Sequence, residues 1–191
     1  MKTRKLILTI FSLTAILFCS FKFIDEKSIN QSEVFISDRD SIKRELTLIL
    51  KNEFSLWYPI SIDTTYGGFF SDLDYMWQLK GKQNKFLVTQ SRHIWSNANA
   101  ATFYDDKQNY LNVASHGYLF LKNKMWDNKY GGFYDLLDRQ GEVIQENGRI
   151  IKRAYGNSFA IYGLAAYYKV SNDTAALNLA VKAFNWLDEH S

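Results

Sequence analysis

The chain has 191 residues, 47% of them apolar and 23% charged, with ten Gly, one Pro and one Cys, a composition that excludes disordered, collagenous and disulfide-stapled proteins. Five Trp, twelve Tyr and fourteen Phe supply a core, and a chain of this size buries about 70% of its unfolded surface. The formal charge is +3, but Lys2, Arg4, Lys5 and Lys22 lie in an acid-free stretch over residues 1–24 and leave 19 bases against 20 acids in the remainder, so no nucleic-acid partner is expected.

In chain order, Lys2, Arg4 and Lys5 precede an apolar run from Leu6 to Phe21, the order of charges then apolar residues found in an export signal or a membrane anchor. Cys19 follows Ile16 and Leu17 as in a lipoprotein acylation box, with Phe18 where that box takes a small residue. An exported protein, periplasmic or lipid-anchored at the cell envelope, is the expectation, with membrane contact only through this segment. Residues 25–40 are polar and non-periodic and read as a linker, so the folded body is expected over 41–191.

From Ser41 the apolar residues fall at helical spacing. Ile42, Leu46, Ile49, Leu50 and Phe54 make one stripe that Pro59 closes. A second helix is predicted over Phe86–Asp105 and a third over Gln108–Met125, the latter burying Leu111, Ala114, Tyr118, Leu121 and Met125. A fourth covers Arg153–Lys169, and a fifth starts near Asp173 with Leu177, Ala180, Phe184 and Leu187 as its stripe.

Between helices one and two, and again between three and four, the chain repeats itself. Asp63-Thr-Thr-Tyr-Gly-Gly-Phe-Phe matches Asp127-Asn-Lys-Tyr-Gly-Gly-Phe-Tyr, and Asp74 matches Asp138. The glycine pairs suit short β-hairpins, with Gly81 and Gly141 near the turns. The match continues into the helices, Lys85, Gln90, Arg92 and Trp95 falling on Lys152, Asn157, Phe159 and Tyr162, and Tyr110-Leu-Asn-Val-Ala on Ala176-Leu-Asn-Leu-Ala. A unit of about 65 residues that gains its core from its neighbours is a solenoid or toroid module. A third unit opens with helix five and stops at His190-Ser191, so the sequence is expected to be a fragment.

The two Tyr-Gly-Gly-Phe hairpins, the stretch Lys85-Phe-Leu-Val-Thr-Gln-Ser-Arg-His-Ile-Trp95, the helix beginning Tyr110-Leu-Asn-Val-Ala and Lys152-Arg-Ala-Tyr-Gly-Asn-Ser-Phe-Ala-Ile-Tyr162 together resemble the N-acylglucosamine 2-epimerase family over about residues 41–190. The resemblance implies an all-α fold, part of a closed (α/α)6 barrel of six helical hairpins, of which a little under half is here. It implies chemistry at carbon 2 of an open-chain sugar: a proton leaves beside the aldehyde, an enediolate forms, and the proton returns to epimerise the sugar or isomerise it to the ketose. It places Arg92 against the sugar's carbonyl end and Tyr155 and Phe159 in the pocket wall, and it puts the two proton-transfer histidines beyond Ser191. No cofactor and no metal are implied.

Competing readings stay open. Tyr155 and Phe159, one turn apart, also suit a plain core, and Trp57 and Trp95 read as core first. His93 follows Arg92 and points about 100° away from it, and His116 lies mid-helix, so both read as structural, with His190 facing solvent. Asp63, Asp74, Asp127 and Asp138 recur with the turns and are expected to bond nearby amides. Were they catalytic, the protein would be a toroid glycosidase. A third reading is a carbohydrate-binding half-ring without turnover, able to form a homodimer.

Overall fold

The computed structural model describes residues 31–190, with side chains from Asp38 onward. The segment 1–24 expected to direct export, Cys19 within it and the first part of the expected linker lie outside the described residues. The chain divides into two units at Phe54/Ser55.

The first helix, α1, spans Gln31–Ile60 with Pro59 in its last turn. It starts ten residues ahead of the expected Ser41, inside the polar stretch 25–40: once a helix is nucleated each added residue gains a hydrogen bond, so polar residues extend it. Its apolar stripe lies open, with Ile42, Leu46, Ile49 and Leu50 each about half exposed.

In the second unit, α2 (Leu87–Phe103), α3 (Lys107–Phe120), α4 (Ala154–Ser171) and α5 (Thr174–His190) follow. The central helix α2 packs on α3 and α4, and α5 packs on α4. Their core contains Leu87, Ile94, Ala114, Leu121, Met125, Phe133, Leu164 and Ala183, all fully buried. The parallel pair α2 and α4 approach so closely at Gly163 that a Cβ there would stand 2.7 Å from the Ser91 carbonyl oxygen, a contact only glycine permits.

The helix expected to run to Met125 does so, but its last turn, Leu121–Met125, widens into a π-turn closed by Trp126 N–H donating to the Leu121 carbonyl at 3.0 Å. The extra residue buries both Leu121 and Met125. The stripe predicted for α5 needs correction. Ala176, Leu179, Ala180 and Ala183 face the core, whereas Phe184 is 60% exposed, because the alanine-rich side of this helix allows the closer approach to α4.

Each Gly-Gly segment forms a tight loop. Asp63 N–H donates to Gly68 and Gly67 N–H to Asp63; Asp127, Gly132 and Gly131 repeat both bonds. All four glycines have positive φ. Isolated bridges pair Ile62 with Phe69 and Leu73 with Leu79, matched by Trp126 with Phe133 and Leu137 with Val143. Two short ladders complete the unit. Strands β1 (Lys85–Phe86) and β2 (Leu136–Leu137) join the two modules, and β3 (Gln145–Glu146) and β4 (Arg149–Ile150) form a hairpin around Asn147-Gly148. That last hairpin has no counterpart in the first module and was not foreseen.

Candidate functional site

The repeat builds its site from one bracket used twice. In each module a buried amide side chain clasps the backbone of the phenylalanine after Gly-Gly. Gln90 Oε1 accepts from Phe69 N–H at 2.7 Å and its Nε2 donates to the Phe69 carbonyl at 2.8 Å. Asn157 does the same for Phe133, at 2.7 and 3.2 Å. Both amides are fully buried, and each satisfies two backbone groups that would otherwise be stranded. Each helix is thereby pinned at its first turns to its own glycine loop.

The aspartates close the same loops. Asp63 Oδ1 accepts from Thr65 and Tyr66 N–H, and its Oδ2 takes Lys85 Nζ at 3.0 Å and Arg139 Nε at 3.1 Å. Asp127 Oδ1 accepts from Lys129 and Tyr130 N–H, and its Oδ2 takes Lys152 Nζ at 2.7 Å. Burial raises both carboxyl pKa values, but the bonds from Arg139 and Lys85 to Asp63, and from Lys152 to Asp127, outweigh it; Asp127 is held down to about 2. Asp74 and Asp138 accept from amides within their own turns. The turn role expected for these residues therefore holds, and Asp63 and Asp127 are both buried and ion-paired within their loops.

The histidines are also tied. His93 Nδ1 pairs with the Tyr58 hydroxyl at 3.1 Å and stacks on Phe69 with ring centroids 4.4 Å apart. Burial, helped by the charge of Lys85, lowers its pKa to about 4, so it stays neutral. His116 Nε2 donates to the Gly68 carbonyl at 2.9 Å. His190 is exposed and reaches the Trp186 carbonyl. Among the described residues no group of three or more His, Cys, Asp or Glu is placed to hold a metal ion, and no helix is long and apolar enough to cross a membrane.

Against this closed scaffold one face of α2 and α4 stays open. The Arg92 guanidinium lies over the Phe159 ring at 5.3 Å, and Tyr155 meets the same ring edge-on at 5.0 Å. Phe159 also touches Tyr162 edge-on at 6.4 Å, and Tyr162 stacks on Trp95 at 5.2 Å. Arg92 is exposed, as are Tyr155 at 65% and Tyr162 at 48%. Among the described residues no carboxylate pairs with Arg92. The structure thus brings the three residues singled out in the sequence into one cluster. It adds Tyr162 and Trp95, the latter half-buried rather than core, while Trp57 packs edge-on against Trp77 at 5.1 Å.

The alignment of the repeat held the signal for this ladder. Arg92 and Phe159 occupy the same position of successive modules, as do Trp95 and Tyr162, and parallel neighbouring helices bring equivalent positions side by side. Chemically, a guanidinium at one end of an aromatic row offers charged donors to a carbonyl or hydroxyl oxygen and flat faces to sugar C–H bonds.

Comparison with known proteins places this geometry. The family profile of N-acylglucosamine 2-epimerase (GlcNAc 2-epimerase) matches residues 68–191. A cellobiose 2-epimerase of Ruminococcus albus is 36% identical over 155 residues, 78% of this chain and 37% of the relative. The solved cellobiose 2-epimerase of Spirochaeta thermophila superposes with a TM-score of 0.67 at 28% identity over 79% of this chain and 37% of its own. A D-mannose isomerase, 22% identical with a TM-score of 0.65 over 78% of this chain and 37% of its own, shares the fold. The chain spans little more than a third of the length of these relatives. Its helical modules are part of an (α/α)6 barrel, and the chain belongs to the N-acylglucosamine 2-epimerase family.

Proposed function

We propose that this chain forms the wall of a sugar pocket that receives the carbonyl end of an open-chain aldose, within an enzyme that epimerises or isomerises the sugar at carbon 2. One observation carries the reading: the Arg92 guanidinium, exposed and without a carboxylate partner among the described residues, held over Phe159 beside the exposed Tyr155. Arg92 supplies fixed positive charge for an oxygen that becomes an oxyanion as the enediolate forms. Tyr155 offers a hydroxyl to a sugar hydroxyl, and Phe159 both seats the guanidinium and packs against a C–H face. The names of the relatives point to cellobiose among sugars.

Proton transfer belongs elsewhere in this reading. His93 is desolvated against Tyr58 and Phe69, and His116 is engaged with Gly68. The purified chain is therefore expected to bind cellobiose or mannose without turning either over. Titration followed by tryptophan fluorescence should show saturable binding that Arg92→Ala weakens about tenfold, roughly 1.4 kcal/mol, and that Tyr155→Phe and Phe159→Leu weaken less. Epimerisation by the purified chain would place the acid and base among its own residues and overturn the division of labour. Binding indifferent to Arg92 would overturn the pocket. We further propose export through residues 1–24, with Cys19 as an acylation site; membrane fractionation with and without Cys19→Ala tests it.

A further inference from the structure

Between the end of α3 and the first half of α5 lies a cleft of about 480 Å³, within the roughly 300–1,000 Å³ that small-molecule sites occupy. One wall is the π-turn that ends α3 and the residues after it, with Lys122, Asn123, Trp126 and Asn128. The other is one face of α5, with Asn178 and Lys182 a turn apart and the buried Leu179 between them. Both walls are helices of the present modules. The lining residues of α5 lie across its buried stripe of Ala176, Ala180 and Ala183 from the open flank that carries Val181 and Phe184, so the cleft is separate from that flank.

The polar side chains that line it are uncommitted. Among the described residues no carboxylate pairs with Lys122 or Lys182, and the side chains of Asn123, Asn128 and Asn178 make no hydrogen bond. Lys122 Nζ lies over the Tyr118 ring at 5.7 Å, and the carboxylate at the start of α5, Asp173, accepts from Ala175 N–H at 2.8 Å. The lysines of the glycine loops, by contrast, are matched: Lys80 with Asp74, Lys85 with Asp63 and Lys152 with Asp127. The counterparts in the first module are matched too. Tyr58, Asn112 and His116 stand where Lys122, Asn178 and Lys182 stand one module later, and they bond His93, Gln108 and Gly68. Three positions that serve packing in one module therefore present two positive charges and an amide to a cleft in the other.

Two ammonium groups on one cleft with no acid in its lining attract an anion, and a charge-assisted bond to a carboxylate or phosphate is about twice as strong as a neutral one. Carboxamides both donate and accept, as sugar hydroxyls do. The half-buried Trp126, fixed edge-on against Phe133 at 4.9 Å, supplies an aromatic surface for C–H bonds. The π-turn that carries Lys122 is itself a feature found most often at functional sites. We propose that this cleft binds an acidic sugar, its carboxylate or phosphate between Lys122 and Lys182, its hydroxyls on the asparagines. Arg92, Tyr155 and Phe159 belong to α2 and α4 and take no part, so the site is independent of the sugar pocket proposed above.

The test titrates the purified chain with glucuronate and with glucose 6-phosphate, with glucose and inorganic phosphate as controls, while NMR follows the Trp126 indole N–H and the Asn178 carboxamide. At least one acidic sugar should shift both signals saturably, bind about tenfold tighter than glucose or inorganic phosphate, and weaken as salt rises; the one that binds identifies the charged group. Lys122→Gln and Lys182→Gln, both at exposed positions where the fold tolerates exchange, should each weaken binding about fivefold or more, and Arg92→Ala should leave it unchanged. No saturable shift, a response to glucose as strong as to the acidic sugars, inorganic phosphate bound as tightly as glucose 6-phosphate, or a loss that follows Arg92 instead of the lysines would each overturn the site.

Discussion

The two modules face the same problem, holding a glycine loop against a helix, and they agree and differ in an instructive way. Both use an aspartate to gather the loop amides, a lysine to neutralise it, and a buried amide to clasp the following phenylalanine. The first is dry, with Lys85 and Asp63 both fully buried, whereas Lys152 and Asp127 keep 13% and 7% of their side-chain surface. His93 of the first module corresponds to Ala160 of the second, and Arg92 to Phe159. Positions that carry the same chemistry in both modules are scaffold. Positions that differ are where one module does something the other does not, and the exposed Arg92 is one of them.

The largest effect should come from the lysines. Lys85→Ala strands the fully buried Asp63 with Arg139 as its remaining cation, and breaking a buried pair from one side costs about 3–5 kcal/mol. Lys152→Ala leaves a carboxylate that water can reach, so about 1–2 kcal/mol is expected. Urea unfolding of both variants reads the difference directly. Equal losses would mean that the dryness of the first module has no energetic weight.

Next comes Gln83, with a positive φ and 5% exposure. Its Oε1 accepts from Ser71 and Asp72 N–H at 3.1 and 3.2 Å, and its Nε2 donates to the carbonyls of Asp72 and Lys80. One side chain does for the first module what the β3–β4 hairpin does for the second, which has three more residues there. Gln83→Ala strands several partly buried backbone groups and is expected to cost about 2–3 kcal/mol, measured by thermal unfolding against Gln78→Ala as a solvent-side control.

Acid should then separate the modules. His93 titrates near 4 when folded and near the ordinary 6.5 when unfolded. The unfolded chain therefore binds the proton first, and stability falls as pH drops through that window. Between pH 7 and pH 5 the loss is about 2 kcal/mol, while the depressed Asp63 and Asp127 withdraw their contributions only at lower pH, as it falls through the ordinary carboxylate value toward their folded ones. His93→Phe should flatten the slope above pH 5. A slope that persists would assign the acid sensitivity to another group.

Much of this was legible in the residues. Helix positions followed from apolar spacing, and the module from Asp, Gly-Gly and Lys recurring at near-constant offset, because turns and buried charges demand particular residue types. The turn roles of Asp63 and Asp127 were legible in the repeat, while Arg92, Tyr155 and Phe159 were singled out through the family resemblance, and the structure gathers Arg92 and Tyr155 around the Phe159 ring. The clasp by Gln90 and Asn157 was not legible: the repeat pairs the two amides, but what an amide bonds is set by tertiary packing. The open face of α5 escaped for a related reason: Leu177, Ala180 and Phe184 sit at helical spacing, and so do Ala176, Leu179 and Ala183. Only the close approach to α4 selects the smaller set.

The smallest effect tests whether the β3–β4 hairpin is more than a spacer. Asn147 and Gly148 both have positive φ, the backbone a two-residue hairpin turn requires. A Cβ on Gly148 would meet nothing within 4 Å, so Gly148→Ala pays for backbone conformation alone, about 1 kcal/mol. The strands it joins carry Glu146, which bonds Arg153, and Arg153 also pairs with Asp135 at the entry to α4. If the hairpin positions that arginine, Gly148→Ala and Arg153→Ala should be non-additive, with the double variant losing less than the two losses combined. Strict additivity would reduce the hairpin to a link of convenient length.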